Sequence, residues 1–469
     1  MGHCTTRVNL LRRRPITRSA RLFLVLAAIG LFIVQAIAAP HDGRAKDPGV
    51  RGGAAGAGHA LADLTPGEFE YFLAGLEDFA EVEEVGEGMG PRMNLDSCGN
   101  CHLHPSVGGT SPEVNPQVAF AGKDGGTDIV PPFIRVNGPV REARFVLNED
   151  GSPDGGVHAL FTTTGRAGAE SCSIEQPDFA RELARRNVIF RIPTPVFGGG
   201  LIEQIPDAAL AANQARDALA KRALGIRGRP NFHVSGRTIT GQSNHNGNDG
   251  TIARFGWKAQ NKSLLLFSGE AYNVEMGITN ELFQTERDET PGCEVVPVPN
   301  SITDTEAAIP LEALSAIEKF AFFMRFLAPP TPSADTPWGA RSIRNGRIVF
   351  DRIGCAFCHT PSFTTGDSAV LALRHQPVNL FSDLLLHDMG AGLADGVSQG
   401  EAGGTEFRSA PLWGLGQRLF LLHDGRTSNL IAAIRAHASR GSEANGVVGN
   451  YESLGEEQKQ DLLNFLRSL

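Results

Sequence analysis

Two five-residue stretches of this chain carry side chains that can do chemistry together. Cys98-Gly-Asn-Cys-His102 lies in "SCGNCHLHP", and Cys355-Ala-Phe-Cys-His359 in "GCAFCHTPS". A Cys-x-x-Cys pair serves as a redox disulfide, as half of a zinc site or as a haem attachment point. The His that follows decides among them. Covalent attachment needs two thiols that reach the two vinyl groups of one porphyrin, and a His that turns under the ring to offer imidazole to the iron. No other Cys-x-x-Cys completes a zinc site, and neither motif sits in the βαβ context of a thioredoxin-like centre. The expectation is two covalently bound haem c groups. Cys98, Cys101, Cys355 and Cys358 are the attachment thiols, and His102 and His359 the proximal ligands.

The remaining cysteines fit an oxidising compartment. Cys4 lies in the first residues of the chain, and Cys172 and Cys293 belong to neither motif. A leftover pair in an exported protein is expected to form a disulfide, although spacing alone does not prove the pairing.

Residues 1–39 read as an export signal. Arg7, Arg12, Arg13, Arg14, Arg18 and Arg21 precede the apolar run Leu22 to Val34, and "AIAAP" follows with small residues at Ala36 and Ala38. A basic start, an apolar segment and an Ala-x-Ala site predict cleavage near Ala38 or Ala39 and a periplasmic location. The competing reading is an uncleaved anchor. The apolar segment is interrupted by Gln35, ends at Pro40 and is marginal for spanning a bilayer. No stable membrane insertion is expected after cleavage.

The rest of the chain has globular composition, 41% hydrophobic and 20% charged, with enough Gly (55) and Pro (28) to be loop-rich. A length of 469 residues predicts two or three domains. The net charge of −9 argues against nucleic acid or an anionic membrane as partner and suits a basic redox protein.

Helical segments flank both motifs. "LTPGEFEYFLAGLEDF" predicts a helix capped at Thr65 with Pro66 in its first position. "PLEALSAIEKFAFFMRFLAPPTP" predicts a helix with a Pro-rich stop, and "LGEEQKQDLLNFLRSL" a closing helix with Leu462, Phe465 and Leu466 on one face. Ile343, Ile348 and Phe350 are expected to share one face of an amphipathic segment, 343–353, packed on haem. The expected fold is mainly α, with two cytochrome c-type haem domains. An N-terminal haem region covers 40–328 and includes a loop-rich insertion of about 105–250 with minor β structure. A Pro-rich linker follows at 329–337, and a C-terminal cytochrome c domain at 338–469.

Six stretches together resemble the bacterial di-haem oxidoreductases, in the branch often labelled thiol oxidoreductase. These enzymes are related to the di-haem cytochrome c peroxidases and the maturation enzyme MauG. The stretches are "SCGNCHLHPSVGG", "RIPTPVFGGGLIEQIPD", "RFGWKAQNKSLLLFSGEAYNVEMGIT", "GCAFCHTPSFTTG", "SDLLLHDMGAGLADG" and "FRSAPLWGLGQRLFLLHDGRTSNLIAAIRAH". The resemblance implies that Trp257 lies between the two haems. It implies that Glu275, in "VEMG", points into the distal pocket of the first. A carboxyl there, its pKa raised by desolvation, would move a proton between the two oxygens of peroxide. It further implies His437 as the distal ligand of the second haem, where relatives carry Met or Tyr, with Met389 as a rival. Imidazole would lower that haem's potential relative to a Met ligand. His423 is expected to pack or hydrogen-bond near a haem propionate. For the sixth position of the first haem, His104 is too near His102 in sequence to swing over the ring. His158, His233 and His245 are candidates that read more readily as plain loop histidines, and an open or water-bound site fits Glu275 best. A calcium ion between the domains is implied too, with no ligand assigned.

Two function classes follow. One is a di-haem oxidoreductase of peroxidase type. It takes hydrogen peroxide or oxygen as oxidant and a small redox protein as electron partner, with the first haem reactive and the second a relay. The other is a non-catalytic electron-transfer cytochrome with both haems six-coordinate. A thiol oxidoreductase using the Cys-x-x-Cys pairs conflicts with haem attachment.

Overall fold

The computed structural model describes residues 43–232 and 252–469, together with a small ribbon formed by Thr238–Ile239 and Gln242–Ser243. The signal-like segment 1–39, His233 and His245 lie outside the described side chains. Helix α1, Pro66–Ala80, begins as its sequence dictates. The Thr65 hydroxyl accepts the Glu68 N–H, and the Glu68 carboxylate accepts the Thr65 N–H at 2.7 Å. Its buried face carries Phe72, Gly75 and Phe79. Gly75 is required there, because a Cβ would stand 2.2 Å from the Lys319 carbonyl of a crossing helix.

Between α1 and the next long helix, the chain makes loops, short helices and two-stranded antiparallel ribbons. Strand β1, Glu142–Phe145, pairs with β2, Val188–Arg191, and sets Glu142 opposite Arg191. The disulfide Cys172–Cys293, with Cα atoms 4.4 Å apart, closes this region around Phe120, Phe161 and Phe179. Helix α2, Leu264–Met276, is capped by Ser263 and stopped by Gly277 at φ 73°. It packs against the helix Ala316–Phe326, where Phe79, Tyr272, Phe320 and Phe323 share one apolar core.

The long helix expected near residues 310–326 is divided. Pro310–Ala313 forms one turn, Leu314 is extended, and α3 restarts as Ala316–Phe326. The break is local chemistry: Ser315 and Glu318 form a capping box that begins a new helix. Beyond it, the Pro-rich stretch 329–337 runs without helix; Thr331 N–H donates to Gly56 and Ser333 N–H to Ser468.

Helix α4, Gly339–Ile353, packs against α6, Glu456–Ser468. Gly346 allows the crossing, since a Cβ there would sit 1.9 Å from the Asp461 carbonyl. Leu462, Phe465 and Leu466 are buried as their spacing predicts. Ile348 is not: it is 63% exposed, while Ile343, Phe350 and Ile353 are buried. The expected face was set out of phase, because five residues at 3.6 per turn carry position 348 well round the helix from 343. Strands β3, Leu386–Asp388, and β4, Glu406–Arg408, pair nearby, and α5, Leu430–Ala436, is capped by Asn429. Fifteen helices and six small ribbons among the described residues make the fold mainly α. Among those residues, no helix is long and apolar enough to cross a membrane.

Candidate haem-binding and redox site

The first Cys-x-x-Cys-His motif comes a loop after α1, the second directly after α4, and each borders its own cavity. Cys98–Cys101 is a single helical turn, and the His102 N–H donates to Cys98 O at 2.9 Å. His102 Nδ1–H donates to the Gly109 carbonyl at 3.0 Å, which leaves Nε2 with its lone pair. Burial pulls the imidazole pKa down to about 4, so the ring is neutral and able to bind metal. The second motif repeats the arrangement. Gly354, at φ 101°, ends α4 and turns the chain into Cys355. His359 Nδ1–H donates to Phe381 O at 3.1 Å, and burial together with nearby His437 lowers its pKa to about 4.

The first cavity is bordered by Cys98, Cys101, His102, Glu275, Met276 and Trp257. The second is bordered by Cys355, Cys358, His359, His437, Met389 and Trp257. Trp257 therefore belongs to both walls, as do Ile192 and Pro193. His437 closes α5, and its Nδ1–H donates to Ala433 O at 2.7 Å, leaving Nε2 free. Met389 borders the same cavity, so both ligand candidates stand there. His423 lines it too, stacked on Phe407 at 4.3 Å between ring centroids. Two other histidines have structural partners: His104 Nε2 meets Gln417 O, and His158 stacks on Phe145 and pairs with Asp154.

Glu275 sits half-buried in a charged network beside buried Asn94 and Arg144. Asn94 Nδ2–H donates to its Oε2 at 2.7 Å. Burial, then the charge of Glu142, pushes the Glu275 carboxyl up to about 8. Burial alone would raise Glu142 as well, but Arg144 and Arg191 outweigh it and hold Glu142 below its ordinary range. The pair thus combines one protonated and one ionised carboxyl. Behind it, Arg191 and Lys258 share Asp395 at 2.8 and 3.0 Å. Sequence reading missed Glu142, Arg144, Arg191 and Asn94. Three of them lie in the Gly/Pro-rich stretch around 105–250, where no periodic pattern points inward. It also missed His387. This buried ring donates from Nε2 to Asp383 at 3.0 Å and from Nδ1 to Glu443 at 2.9 Å, beside Cys358. Burial opposes its charge, yet the Cys358 sulfur and Asp383 carboxylate hold its pKa above the ordinary value.

The donor sets fit a porphyrin and fit other chemistry poorly. The four motif cysteines form no disulfide. Burial raises Cys98 and Cys355 to about 12, far from the reactive thiolate that thiol–disulfide exchange needs. Among the described residues, no three His, Cys, Asp or Glu side chains converge as an ion-sized metal site. Polar atoms are instead left without partners around the cavities: Ser97 Oγ, Arg141 Nε, Arg191 Nε and Gln260 Oε1 at the first, and Arg418 Nε at the second. Buried polar atoms are ordinarily satisfied, and a polar group bound in either cavity would satisfy these.

The model of the family described as "Di-haem oxidoreductase, putative peroxidase" matches residues 153–469. This chain belongs to the di-haem oxidoreductase family. The matched span holds Trp257, Glu275, the second motif and His437; Cys98, Cys101 and His102 precede it. Membership makes haem the family's cofactor and oxidoreduction its chemistry. Among solved structures, the hydrazine synthase of Kuenenia stuttgartiensis is similar to this di-haem oxidoreductase at 18% identity and a TM-score of 0.22. That match takes in 34% of this chain and 56%, about half, of the other. No curated protein matches by sequence.

Proposed function

We propose that this chain is an exported di-haem c oxidoreductase of peroxidase type, with a reactive haem at the first cavity and an electron-relay haem at the second. Cys98, Cys101 and His102 would hold the first group; Cys355, Cys358, His359 and His437 would hold the second. The observation that carries the reading is the common wall: Trp257 borders both cavities, and each cavity has its own Cys-x-x-Cys-His. Bound haem would supply the one-electron chemistry and the cleavage of the oxygen–oxygen bond.

The chain's own residues supply the rest. Glu275 holds a proton at its carboxyl, kept there near neutral pH by burial and by the charge of Glu142. Asn94 fixes the carboxyl through Oε2. Arg144 holds the neighbouring Glu142 ionised, and that negative charge in turn keeps the proton on Glu275. Apolar Phe79, Leu95, Val140 and Phe320 exclude water from the same cavity. The oxidant is hydrogen peroxide or oxygen, and the electron partner a small redox protein suited to an acidic surface. Cleavage near Ala38 or Ala39 and a periplasmic location complete the proposal.

The test is an EPR spectrum of the ferric, haem-loaded protein before and after one equivalent of peroxide. One high-spin and one low-spin signal, with the high-spin signal lost on addition, is the expected result. Two low-spin signals indifferent to peroxide, in both the ferric and the half-reduced protein, would make the chain an electron-transfer cytochrome instead.

A further inference from the structure

Two arginines line the second cavity with no acid to answer them. Arg408 ends β4, and Arg418 follows the turn at Leu415–Gln417. Arg408 Nε–H donates to the Gly256 carbonyl at 2.9 Å, and an Arg418 terminal N–H donates to the Pro411 carbonyl at 2.8 Å. Arg418 Nε is buried with no partner. Nearby buried cations are treated differently: Arg144 faces Glu142, and Arg191 and Lys258 share Asp395. Among the described residues, neither Arg408 nor Arg418 has a carboxylate at ion-pair distance. Burial lowers both to about 10, and Arg408 also feels the charge of Arg418. Two like charges in one low-dielectric pocket are costly unless an anion is taken up between them.

We propose that Arg408 and Arg418 form the receptor for the two propionate carboxylates of the second haem. The inference rests on the reading that Cys355, Cys358 and His359 hold that haem. Its charge balances, two guanidinium groups against two carboxylates, and the planar guanidinium fork matches the carboxylate. The Arg408 N–H also donates to the Trp257 carbonyl at 2.9 Å, so the receptor adjoins the wall that the two cavities share. The pair is a positioning device: it orients the haem and offsets the carboxylate charge that would otherwise favour ferric iron.

The experiment uses the full chain with both haems loaded, as parent, Arg418→Gln, Arg418→Lys and Arg408→Gln. Peptide mass spectrometry first reads haem at Cys355 and Cys358; its absence from the parent would remove the haem reading itself. With haem attached, a redox titration at mildly alkaline pH follows each haem by its own spectrum. Arg418→Gln is expected to shift the second haem's midpoint potential downward and leave the first unchanged, and Arg418→Lys to restore most of the shift. Should Arg418→Gln fail to mature, Arg408→Gln is read in the same way against the parent. An unchanged potential, or a shift that Lys does not restore, would overturn the proposal.

Discussion

The indole N–H of Trp257 donates to the carbonyl of Ile192 at 2.9 Å, and both residues border both cavities. The bond holds the ring as a partition between the two motifs. His423 meets it edge-on at 6.3 Å. Trp257→Phe keeps an aromatic wall but removes the bond and part of the π-surface. Interhaem electron exchange, followed by pulse radiolysis or stopped flow, is expected to slow about tenfold, the equivalent of about 1.4 kcal/mol in barrier. Equilibrium spectra should stay as in the parent. An unchanged rate would reduce Trp257 to a packing residue.

Glu275→Gln removes the proton carrier while keeping an acceptor for Asn94. The reaction with peroxide is expected to slow by roughly 10²–10⁴, the usual worth of positioned acid–base catalysis. Ferric and ferrous absorption spectra should be near those of the parent. A variant that turns over normally would strip Glu275 of its role.

Glu142→Gln tests why Glu275 is protonated. Losing the neighbouring charge should let the Glu275 carboxyl ionise at lower pH. Its infrared carbonyl band is expected to titrate at about 8 in the parent and clearly lower in the variant. The sign follows from linkage. A carboxyl whose folded pKa is raised gives stability that is complete below its unfolded pKa and lost as pH rises towards about 8. Glu142→Gln should therefore flatten that decline, as read from urea unfolding across the window.

Asp47 and Arg467 tie residues near the start of the packed unit to α6, through two bonds of 2.9 Å. Burial works against the Asp47 charge, but the Arg467 guanidinium and the Leu430 N–H together hold its pKa below the ordinary value. Stability from a depressed carboxyl is present above its unfolded pKa and lost as pH falls through the folded one. Asp47→Asn leaves Arg467 buried and unpaired, at a cost of about 3–5 kcal/mol in urea unfolding near neutrality. That deficit should shrink in strong acid, where the parent loses the same charge. A deficit independent of pH would assign the effect to packing.

How much was legible follows the range of each interaction. The capping box at Thr65–Glu68 and the Cys-x-x-Cys-His motifs are written within three or four residues, where spacing fixes geometry. The buried face of α6 follows the same rule. The capping box at Ser315–Glu318 was equally local, yet the apolar run across it concealed the helix break. The phase of α4 was harder still, since several apolar faces were available, and packing against α6 exposed Ile348.

The sequence by itself determined two Cys-x-x-Cys-His motifs, the helices that flank them and the pair of cysteines outside them, because each depends on residue type and short spacing. Only the tertiary structure decided what surrounds them. The Cys172–Cys293 bridge, the Glu142–Glu275 carboxyl pair, the common wall at Trp257 and the unanswered charges of Arg408 and Arg418 each join segments far apart in the chain. Their properties come from burial and from which loop approaches which helix, and no local pattern of side chains encodes that approach.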